Sequence, residues 1–338
     1  MALAEVEGPV GAPWERPLAG RFERLVVESE VLQGNPLGDP ARRPLYVYLS
    51  PGVGDDRVPV VYMLQGYGGQ LDAWLARKAF EPTVVERLDE MFAAGECPDA
   101  VVVFVDAWTS LGGSQFINSE GTGRYMDHVC DEIVPFVEGR YSVSDRRGVA
   151  GHSSGGYGAI VNAMLRPDVF CAFASQAGDA LFECCYQRDF PLVARTLRDH
   201  FEGSLKVFLE DVRTAEAFDW SRYGAALSTY AMAQAYSPGE LPFSIETGQL
   251  VEEVWEKWLR WDPVRMAPRH VDALHGMRRI YLDAGRRDEY FLDLGAQALS
   301  AELARLGVDH TVELFDGGHG GISYRYPRAV AELVTALA

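Results

Sequence analysis

Apolar residues follow two alternating patterns along most of the chain. Residues 58–64 and 100–106 are nearly continuous apolar runs, which are typical of strands buried on both faces of a parallel sheet. Between residues 124 and 138 the apolar positions recur every fourth residue, which predicts an amphipathic helix. Because strand-like runs alternate with helical patterns, the chain predicts an α/β fold, with a mostly parallel central sheet flanked by helices.

The same two patterns predict the other elements of this fold. Further strands are expected at 25–28, 45–49, 147–151, 171–175, 279–284 and 311–315, and further helices at 82–94, 154–166, 291–306 and after Pro327.

The alternation fails between residues 181 and 277. This stretch is mostly helical in pattern, and Pro238, Pro242 and Pro263 interrupt it. We therefore expect a mainly helical cap at 181–277, inserted into one core formed by residues 21–180 and 278–338. Residues 1–20 are acidic and rich in Pro and Gly, and we expect them to form a loose tail.

Charge and composition narrow the class of partner. A hydrophobic content of 48% and a charged content of 24% fit a globular protein with a full core. The net charge of −18 argues against nucleic acid and anionic membranes as partners, because both are polyanions. The first residues lack the basic start and apolar run of a signal peptide, and no stretch approaches the length of a membrane span. These features predict a cytoplasmic protein.

The cysteines indicate neither a disulfide framework nor a metal site. Five is an odd number, their spacing does not match that of metal ligands, and no histidine cluster lies near them. We expect all five to be reduced and mostly buried. They are Cys97, Cys130, Cys171, Cys184 and Cys185.

A candidate nucleophile lies in the segment Gly-His-Ser-Ser-Gly at 151–155. The segment falls between a predicted strand and a predicted helix, where a sharp turn lifts the hydroxyl of Ser153 clear of the sheet. Such a turn strains the backbone, and flanking glycines avoid side-chain clashes. Ser154 is the competing nucleophile. If Ser154 were the central serine of a Gly-x-Ser-x-Gly pattern, however, the bulky His152 would take the place of the first glycine. We therefore assign Ser153 as the nucleophile and His152 as a packing residue.

A candidate base and a candidate acid follow the last two predicted strands. His319 lies between glycines in the loop after 311–315, where the backbone can approach a serine closely. Asp288 follows 279–284 through a glycine-containing loop and can turn its carboxylate toward His319. Asp283 is the main rival as the acid, although we expect it to hydrogen-bond loop backbone, and Glu289 is a weaker rival. The chain order Ser, Asp, His is that of the α/β-hydrolase triad.

A candidate oxyanion hole lies in the glycine-rich segment 65–69, after the buried strand 58–64. A developing oxyanion needs convergent backbone N–H groups, one from this loop and one from the residue after the nucleophile. We assign these donors to Tyr67 and Ser154, and we expect Gly66 beside the substrate.

Several of these segments together resemble a known family. They are LQGYGG, NSEGTGRYMDHVCDEIVPFVEGRY, GHSSGGYGA and the loops that carry Asp288 and His319. Over about residues 20–180 and 278–338 they are similar to the putative-esterase family, which includes esterase D and S-formylglutathione hydrolases, feruloyl esterases and mycolyltransferases. The resemblance implies an α/β-hydrolase fold and a metal-free serine mechanism that uses Ser153, Asp288 and His319.

The resemblance also implies that Trp108, Asn118 and Tyr125 lie near the substrate pocket, although Tyr125 could instead pack its own helix. Two features depart from the family pattern. Many relatives are secreted, whereas this chain shows no export signal, and the insertion at 181–277 is longer than in compact members.

The cap contains four of the seven tryptophans, Trp220, Trp255, Trp258 and Trp261. The spacing of Trp255 and Trp258 is helical, which favours a helix that docks on the body of the protein. The alternative is an aromatic wall over the active site.

The sequence thus predicts a serine carboxylesterase that hydrolyses a small-molecule ester through an acyl-enzyme, with no cofactor and no metal. An acyltransferase or thioesterase would use the same triad, and a non-catalytic hydrolase-fold binding protein is the alternative from another class. A homo-oligomer is compatible with the sequence.

Overall fold

The computed structural model describes residues 16–78 and 80–338. Its strands are β1 (Arg21–Glu28), β2 (Arg42–Leu49), β3 (Val58–Leu64), β4 (Val101–Val105), β5 (Asn118–Ser119), β6 (Gly123–Arg124), β7 (Val143–His152), β8 (Ala172–Gln176), β9 (Arg279–Gly285) and β10 (Thr311–Phe315). Eight of them form one sheet in the order β1-β2-β4-β3-β7-β8-β9-β10, and β5 and β6 form a separate two-stranded ribbon.

The central sheet is parallel from β4 to β10 and antiparallel at its other end. All neighbouring pairs from β4-β3 to β9-β10 are parallel, while β2 pairs antiparallel with both β4 and β1. Strand β3 shows why its sequence is apolar throughout. Val60, Tyr62 and Leu64 pack into the core on one face, and Val61 and Met63 pack into the core on the other.

The helices connect the strands. They are α1 (Val84–Ala93), α2 (Tyr125–Asp127), α3 (Val134–Arg140), α4 (Ser154–Leu165), α5 (Phe182–Cys185), α6 (Phe190–His200), α7 (Leu205–Thr214), α8 (Ala225–Tyr236), α9 (Glu252–Leu259), α10 (Pro263–Met266), α11 (Val271–His275), α12 (Leu292–Arg305) and α13 (Tyr326–Leu337). A π-helical segment, His128–Ile133, joins α2 to α3, so the predicted helix at 124–138 is present with one widened turn.

Two layers of helices cover the sheet. Helices α1 and α13 pack on one face, while α4, α12 and the α2–α3 helix pack on the other. At the start of the described chain, the backbone N–H groups of Ala19 and Gly20 donate to the carboxylate of Asp89 on α1, at 3.0 and 2.8 Å. Residues 1–15 of the expected tail lie outside the described residues. In the described part of the chain, no helix is long and apolar enough to cross a membrane.

Helices α5 to α11 lie between β8 and β9 and form the cap. Its interior is aromatic: Trp258 is fully buried, Trp255 is 6% exposed, and both rings contact Phe190 edge-on. The indole N–H of Trp258 donates to Ser237 Oγ at 2.8 Å, which satisfies its one polar group. Cap and body residues belong to one continuous apolar cluster, but the aromatic partners of these two tryptophans all lie in the cap, so both rings stabilise the cap interior.

Candidate active site

Ser153 lies in a sharp turn between β7 and α4. Its backbone has φ 57° and ψ −127°, a strained conformation for a residue with a side chain, and its N–H donates to Gln176 O at 2.9 Å. The turn is crowded, because a Cβ atom on Gly155 would lie 2.2 Å from Leu64 O, and one on Gly151 would lie 2.4 Å from the backbone of Gly155. Only glycine fits at both positions, and Ser153 lies at the carboxyl end of the parallel sheet.

Two further loops at this edge bring an imidazole and a carboxylate to Ser153. His319 Nε2 lies 3.1 Å from Ser153 Oγ, and His319 Nδ1 lies 2.8 Å from Asp288 Oδ2. These residues follow β10 and β9, so the carboxyl ends of three parallel strands supply the three groups. The three side chains form a continuous hydrogen-bonded chain that can move a proton from Ser153 to His319.

The carboxylate of Asp288 is held in its ionised form. The side chain is fully buried, and its Oδ1 accepts hydrogen bonds from the backbone N–H groups of Tyr290, at 2.9 Å, and Leu292, at 3.4 Å. Burial by itself would raise the pKa of Asp288, but the hydrogen bonds from His319 and from these two N–H groups outweigh it and lower the pKa. The group therefore remains an anion that can stabilise a charged imidazole.

Asp283, the rival acid, belongs to a different cluster. Its Oδ2 accepts a hydrogen bond from Arg325 Nε at 3.0 Å and lies 3.4 Å from Gln176 Nε2. Burial raises the pKa of Asp283 to about 6, against the opposing effect of Arg325. The prediction that the Asp283 side chain bonds loop backbone is therefore wrong. Its partner is Arg325, because the last turn before α13 places this guanidinium group beside the carboxylate.

Two residues hold the backbone of His319. Glu289 Oε2 accepts a hydrogen bond from the His319 N–H at 2.9 Å, and His152 Nε2 lies 3.1 Å from the His319 carbonyl oxygen. The rings of His152 and His319 pack with centroids 4.5 Å apart. Burial, and then the neighbouring His319, lowers the pKa of His152 to about 3, so this ring is neutral and donates to the carbonyl. Sequence reasoning missed both contacts, since it treated Glu289 only as an acid and His152 only as packing.

The loop 65–69 lies directly over Ser153. A Cβ atom on Gly66 would lie 3.3 Å from Ser153 Cβ, and the loop is fixed by Gly68 N–H, which donates to Gly112 O at 2.8 Å. The hydroxyl of Tyr67 donates to Leu111 O at 2.7 Å. Within residues 16–78 and 80–338, the backbone N–H groups of Tyr67 and Ser154 donate to no protein acceptor, so both are available to an anion.

A cavity of about 690 Å³ opens beside Ser153, between the body and the cap. The body contributes Ser153, Ser154 and His319 to its lining, and the cap contributes Leu192, Trp220 and Met232. The rim is apolar and open to solvent, since Leu192 is 55% exposed, Trp220 is 59% exposed and Tyr290 is 50% exposed. Of the cap tryptophans, Trp220 lines this cavity, whereas Trp255 and Trp258 lie in the cap interior.

None of the three residues that the family resemblance places near the pocket lines this cavity. Tyr125 is fully buried, and its hydroxyl lies 2.5 Å from Arg43 Nη2, because its helix packs on the sheet at this point. Asn118 is exposed and donates to Asp127 Oδ1 at 2.7 Å. Trp108 lies closer, in the wall of a small space behind Tyr67 that also contacts Ser154.

No three His, Cys, Asp or Glu side chains in the described ranges are grouped so that they could hold a metal ion. The acidic and imidazole groups at the site are instead paired with one another and with Ser153.

The sheet order, the strained serine turn and the acid and histidine loops after β9 and β10 define an α/β-hydrolase, as the sequence predicts. The chain belongs to the family described as "Putative esterase", whose model matches residues 40–326, and the protein is an enzyme that acts on ester bonds.

Solved structures share this fold over nearly their whole length. A ferulic acid esterase is 19% identical, with a TM-score of 0.60, and the match covers 95% of this chain and 100% of that chain. An S-formylglutathione hydrolase from Agrobacterium tumefaciens is 14% identical, with a TM-score of 0.60 and coverages of 96% and 98%. The fluorophosphonate-binding serine hydrolase F of Staphylococcus aureus is 17% identical, with a TM-score of 0.57 and coverages of 93% and 98%.

Proposed function

We propose that the protein is a serine carboxylesterase that hydrolyses a small-molecule ester through an acyl-enzyme. The observation that carries this proposal is the hydrogen-bonded chain Ser153–His319–Asp288 at the wall of an open cavity. The family match supports the ester as the class of substrate.

In this mechanism His319 Nε2 accepts the proton of Ser153 as Oγ attacks the ester carbonyl. Asp288 stabilises the imidazolium that forms. The carbonyl oxygen becomes an oxyanion, which the backbone N–H groups of Tyr67 and Ser154 and the positive end of helix α4 stabilise. His319 then donates its proton to the departing alkoxide. A water molecule, deprotonated by His319, then attacks the acyl-enzyme. The bond to Ser153 Oγ breaks, Oγ takes the proton back from His319, and the acid is released.

Hydrolysis is favoured over acyl transfer by the form of the cavity. An acyltransferase must keep water from the acyl-enzyme, which requires a closed and dry pocket. At the rim, Trp220 is more than half exposed and Tyr290 is half exposed. The floor of the cavity carries polar groups such as Ser154. Water can therefore reach the acyl-enzyme.

The five free thiols fit the cytoplasm, which we propose as the location of the enzyme.

The test compares Ser153→Ala with its neighbour Ser154→Ala. A fluorophosphonate probe should label the parent and Ser154→Ala but not Ser153→Ala, because only the side chain of Ser153 is the nucleophile. Ester hydrolysis should fall by about 10⁴-fold or more in Ser153→Ala. Labelling at Ser154, or a folded Ser153→Ala that keeps its activity, would overturn the proposal.

The same parent enzyme should be assayed with p-nitrophenyl esters of graded chain length, a feruloyl ester and S-formylglutathione, since the structural neighbours include enzymes named for the last two classes. Adding an alcohol to each assay measures transfer against hydrolysis. A product dominated by the new ester would favour the acyltransferase alternative.

A further inference from the structure

A carboxyl group lies on the floor of the active-site cavity. Asp179 follows β8 by three residues and lines the same cavity as Ser153 and His319. Its side chain is almost completely removed from solvent, with 6% of the residue exposed. The triad does not use this group, since Asp288 is the carboxylate that contacts His319.

The groups around Asp179 are neutral hydrogen-bond donors. Its Oδ2 accepts from Tyr186 OH at 2.6 Å, from Gln115 Nε2 at 3.1 Å and from Ser154 Oγ at 3.3 Å. Burial raises the pKa of Asp179 above its ordinary value, although these hydrogen bonds and the nearby His319 oppose the increase and favour the ionised form. Three donors directed at one oxygen fit an anionic carboxylate better than a carboxylic acid.

This carboxylate has no counterion among the described residues. No Lys, Arg or His nitrogen there lies within 4.0 Å of it, and its Oδ1 accepts no hydrogen bond. Two basic residues line the cavity. His319 is hydrogen-bonded to Asp288, and the guanidinium group of Arg188 binds Asp189 and the carbonyl of Glu289 and stacks over Phe291 at 4.5 Å. A buried, unpaired carboxylate is costly, and such groups concentrate at functional sites.

The surroundings of Asp179 suit an organic cation. Tyr186 lines the cavity beside the carboxylate, and its ring is packed against Phe182, Tyr236 and Trp258. Electron-rich aromatic side chains of this kind attract ammonium groups. The adjoining wall is formed by Ser228, Thr229 and Met232, which are small or flexible and carry no charge. A cavity of about 690 Å³ has room for an ammonium group together with an ester held at Ser153.

We propose that Asp179 and Tyr186 form a subsite for a cationic group of the substrate, an amine or quaternary ammonium carried near the scissile ester. The catalytic part of this inference rests on the proposed esterase function, and the binding part does not. The ester of such a substrate would be turned over at Ser153 while its positive charge replaces the missing counterion of Asp179.

The test uses pairs of esters that differ only in charge. Trimethylammonium and tert-butyl groups have nearly the same shape, so each cationic ester has a neutral isostere. One pair carries the group on the alcohol, as a choline ester and a 3,3-dimethylbutyl ester, and the other carries it on the acyl chain. The parent enzyme should prefer the cationic member of at least one pair by roughly tenfold or more in kcat/KM, the effect of one partly buried charge pair.

Asp179→Asn keeps the shape of the side chain and removes its charge. We expect the charge preference, taken as the ratio within a pair, to fall close to one in this variant. The substitution also changes the contact with Ser154 and could lower activity toward both esters of a pair. Such a loss would cancel in the ratio. Asp189→Asn removes a carboxylate at the same cavity that is already paired with Arg188, so it should retain the preference.

A second measurement does not depend on catalysis. Titration of the parent protein with n-butyltrimethylammonium should show binding that weakens about tenfold or more in Asp179→Asn and is retained in Asp189→Asn. If no ester is hydrolysed, the proposed esterase function fails, and the titration alone decides the subsite. A parent enzyme without charge preference in either pair, or an Asp179→Asn variant that binds the cation as the parent does, would overturn the inference.

Discussion

The backbone N–H of His319 donates to the carboxylate of Glu289, one residue after the acid Asp288, at 2.9 Å. The loop after β9 therefore contacts His319 twice, once at the imidazole and once at the main chain. Asp288 orients the ring of His319, while Glu289 fixes the position of the residue that carries the ring.

Removal of this second contact should lower kcat without unfolding the enzyme. In Glu289→Ala we expect a loss of roughly tenfold in kcat, smaller than the ~100-fold that a 1 Å misplacement can cost. Glu289→Gln keeps an acceptor oxygen and should recover most of the rate. Glu302→Ala, on the outer face of α12 and paired with Arg305, is the matched control. Equal rates in Glu289→Ala and the parent would show that the contact does not position His319.

Asp288 and Asp283 should separate into a catalytic and a structural carboxylate. Asp288→Asn should lower kcat by up to about 10⁴-fold, because the imidazole loses its orientation and its stabilising charge. Asp283→Asn breaks a buried pair with Arg325 and should reduce the free energy of unfolding by about 3 kcal/mol, with a much smaller effect on kcat. Kinetics and urea unfolding of both variants measure this, and the opposite ranking in kcat would move the acid to Asp283.

Two tryptophans of the cap should respond differently to truncation. Trp258→Ala removes a fully buried side chain and should cost roughly 3–5 kcal/mol of stability. Trp220→Ala should leave stability nearly unchanged and lower kcat/KM for bulky apolar esters on the order of tenfold relative to acetates, since its ring lines the cavity. Melting temperatures and the ester panel distinguish the two. If Trp220→Ala lowers kcat/KM by the same factor for every ester, Trp220 does not select the substrate.

Glu132 should make stability depend on pH in acid. It accepts hydrogen bonds from Ser29 Oγ, from the backbone N–H groups of Glu30 and Val31, and from His128. Burial would raise the pKa of Glu132, but these bonds outweigh it and lower the pKa to about 2. Because the pKa is lower in the folded than in the unfolded state, the stabilisation is complete above about pH 4.5 and is lost as the pH falls toward 2.

Glu132→Gln should therefore be less stable than the parent at pH 7, by up to about 3 kcal/mol. The difference should narrow between pH 4.5 and 2 as the parent carboxylate takes up a proton. Urea unfolding at a series of pH values measures it, with Glu120→Gln at an exposed loop position as the control. A difference that stays constant down to pH 2 would contradict the argument.

The parts of this protein that sequence predicts well depend on residues close together in the chain. Periodicity predicts each strand and helix from its own residues, and strands 58–64 and 311–315 match β3 and β10 in both bounds. The positions of Ser153 and His319 were also predictable, because each follows its strand within a few residues and lies among glycines.

The choices that sequence left open depend on contacts between distant segments. Asp283 and Asp288 lie in one short stretch, and what separates them is Arg325, 42 residues from Asp283. Helical spacing indicates that Trp255 and Trp258 are buried, but it cannot show that Trp220 turns into the cavity. The residues next to Asp179 in the chain do not indicate that it lies in the cavity. Its hydrogen-bond donors include Gln115, 64 residues earlier, and Tyr186 in the cap.

The position of His319, the proposed base, depends on β10, one of the two edge strands of the sheet. β10 pairs with β9 alone, and its residues are only partly buried, so this edge has fewer contacts than the centre of the sheet. Regions of that kind open at a lower free energy than the whole molecule. Detachment of β10 would carry His319 away from Ser153, 166 residues earlier in the chain, while the remaining strands stay paired. Catalysis would then report on a local opening of the sheet edge, and on heating the enzyme would be inactivated before it unfolds.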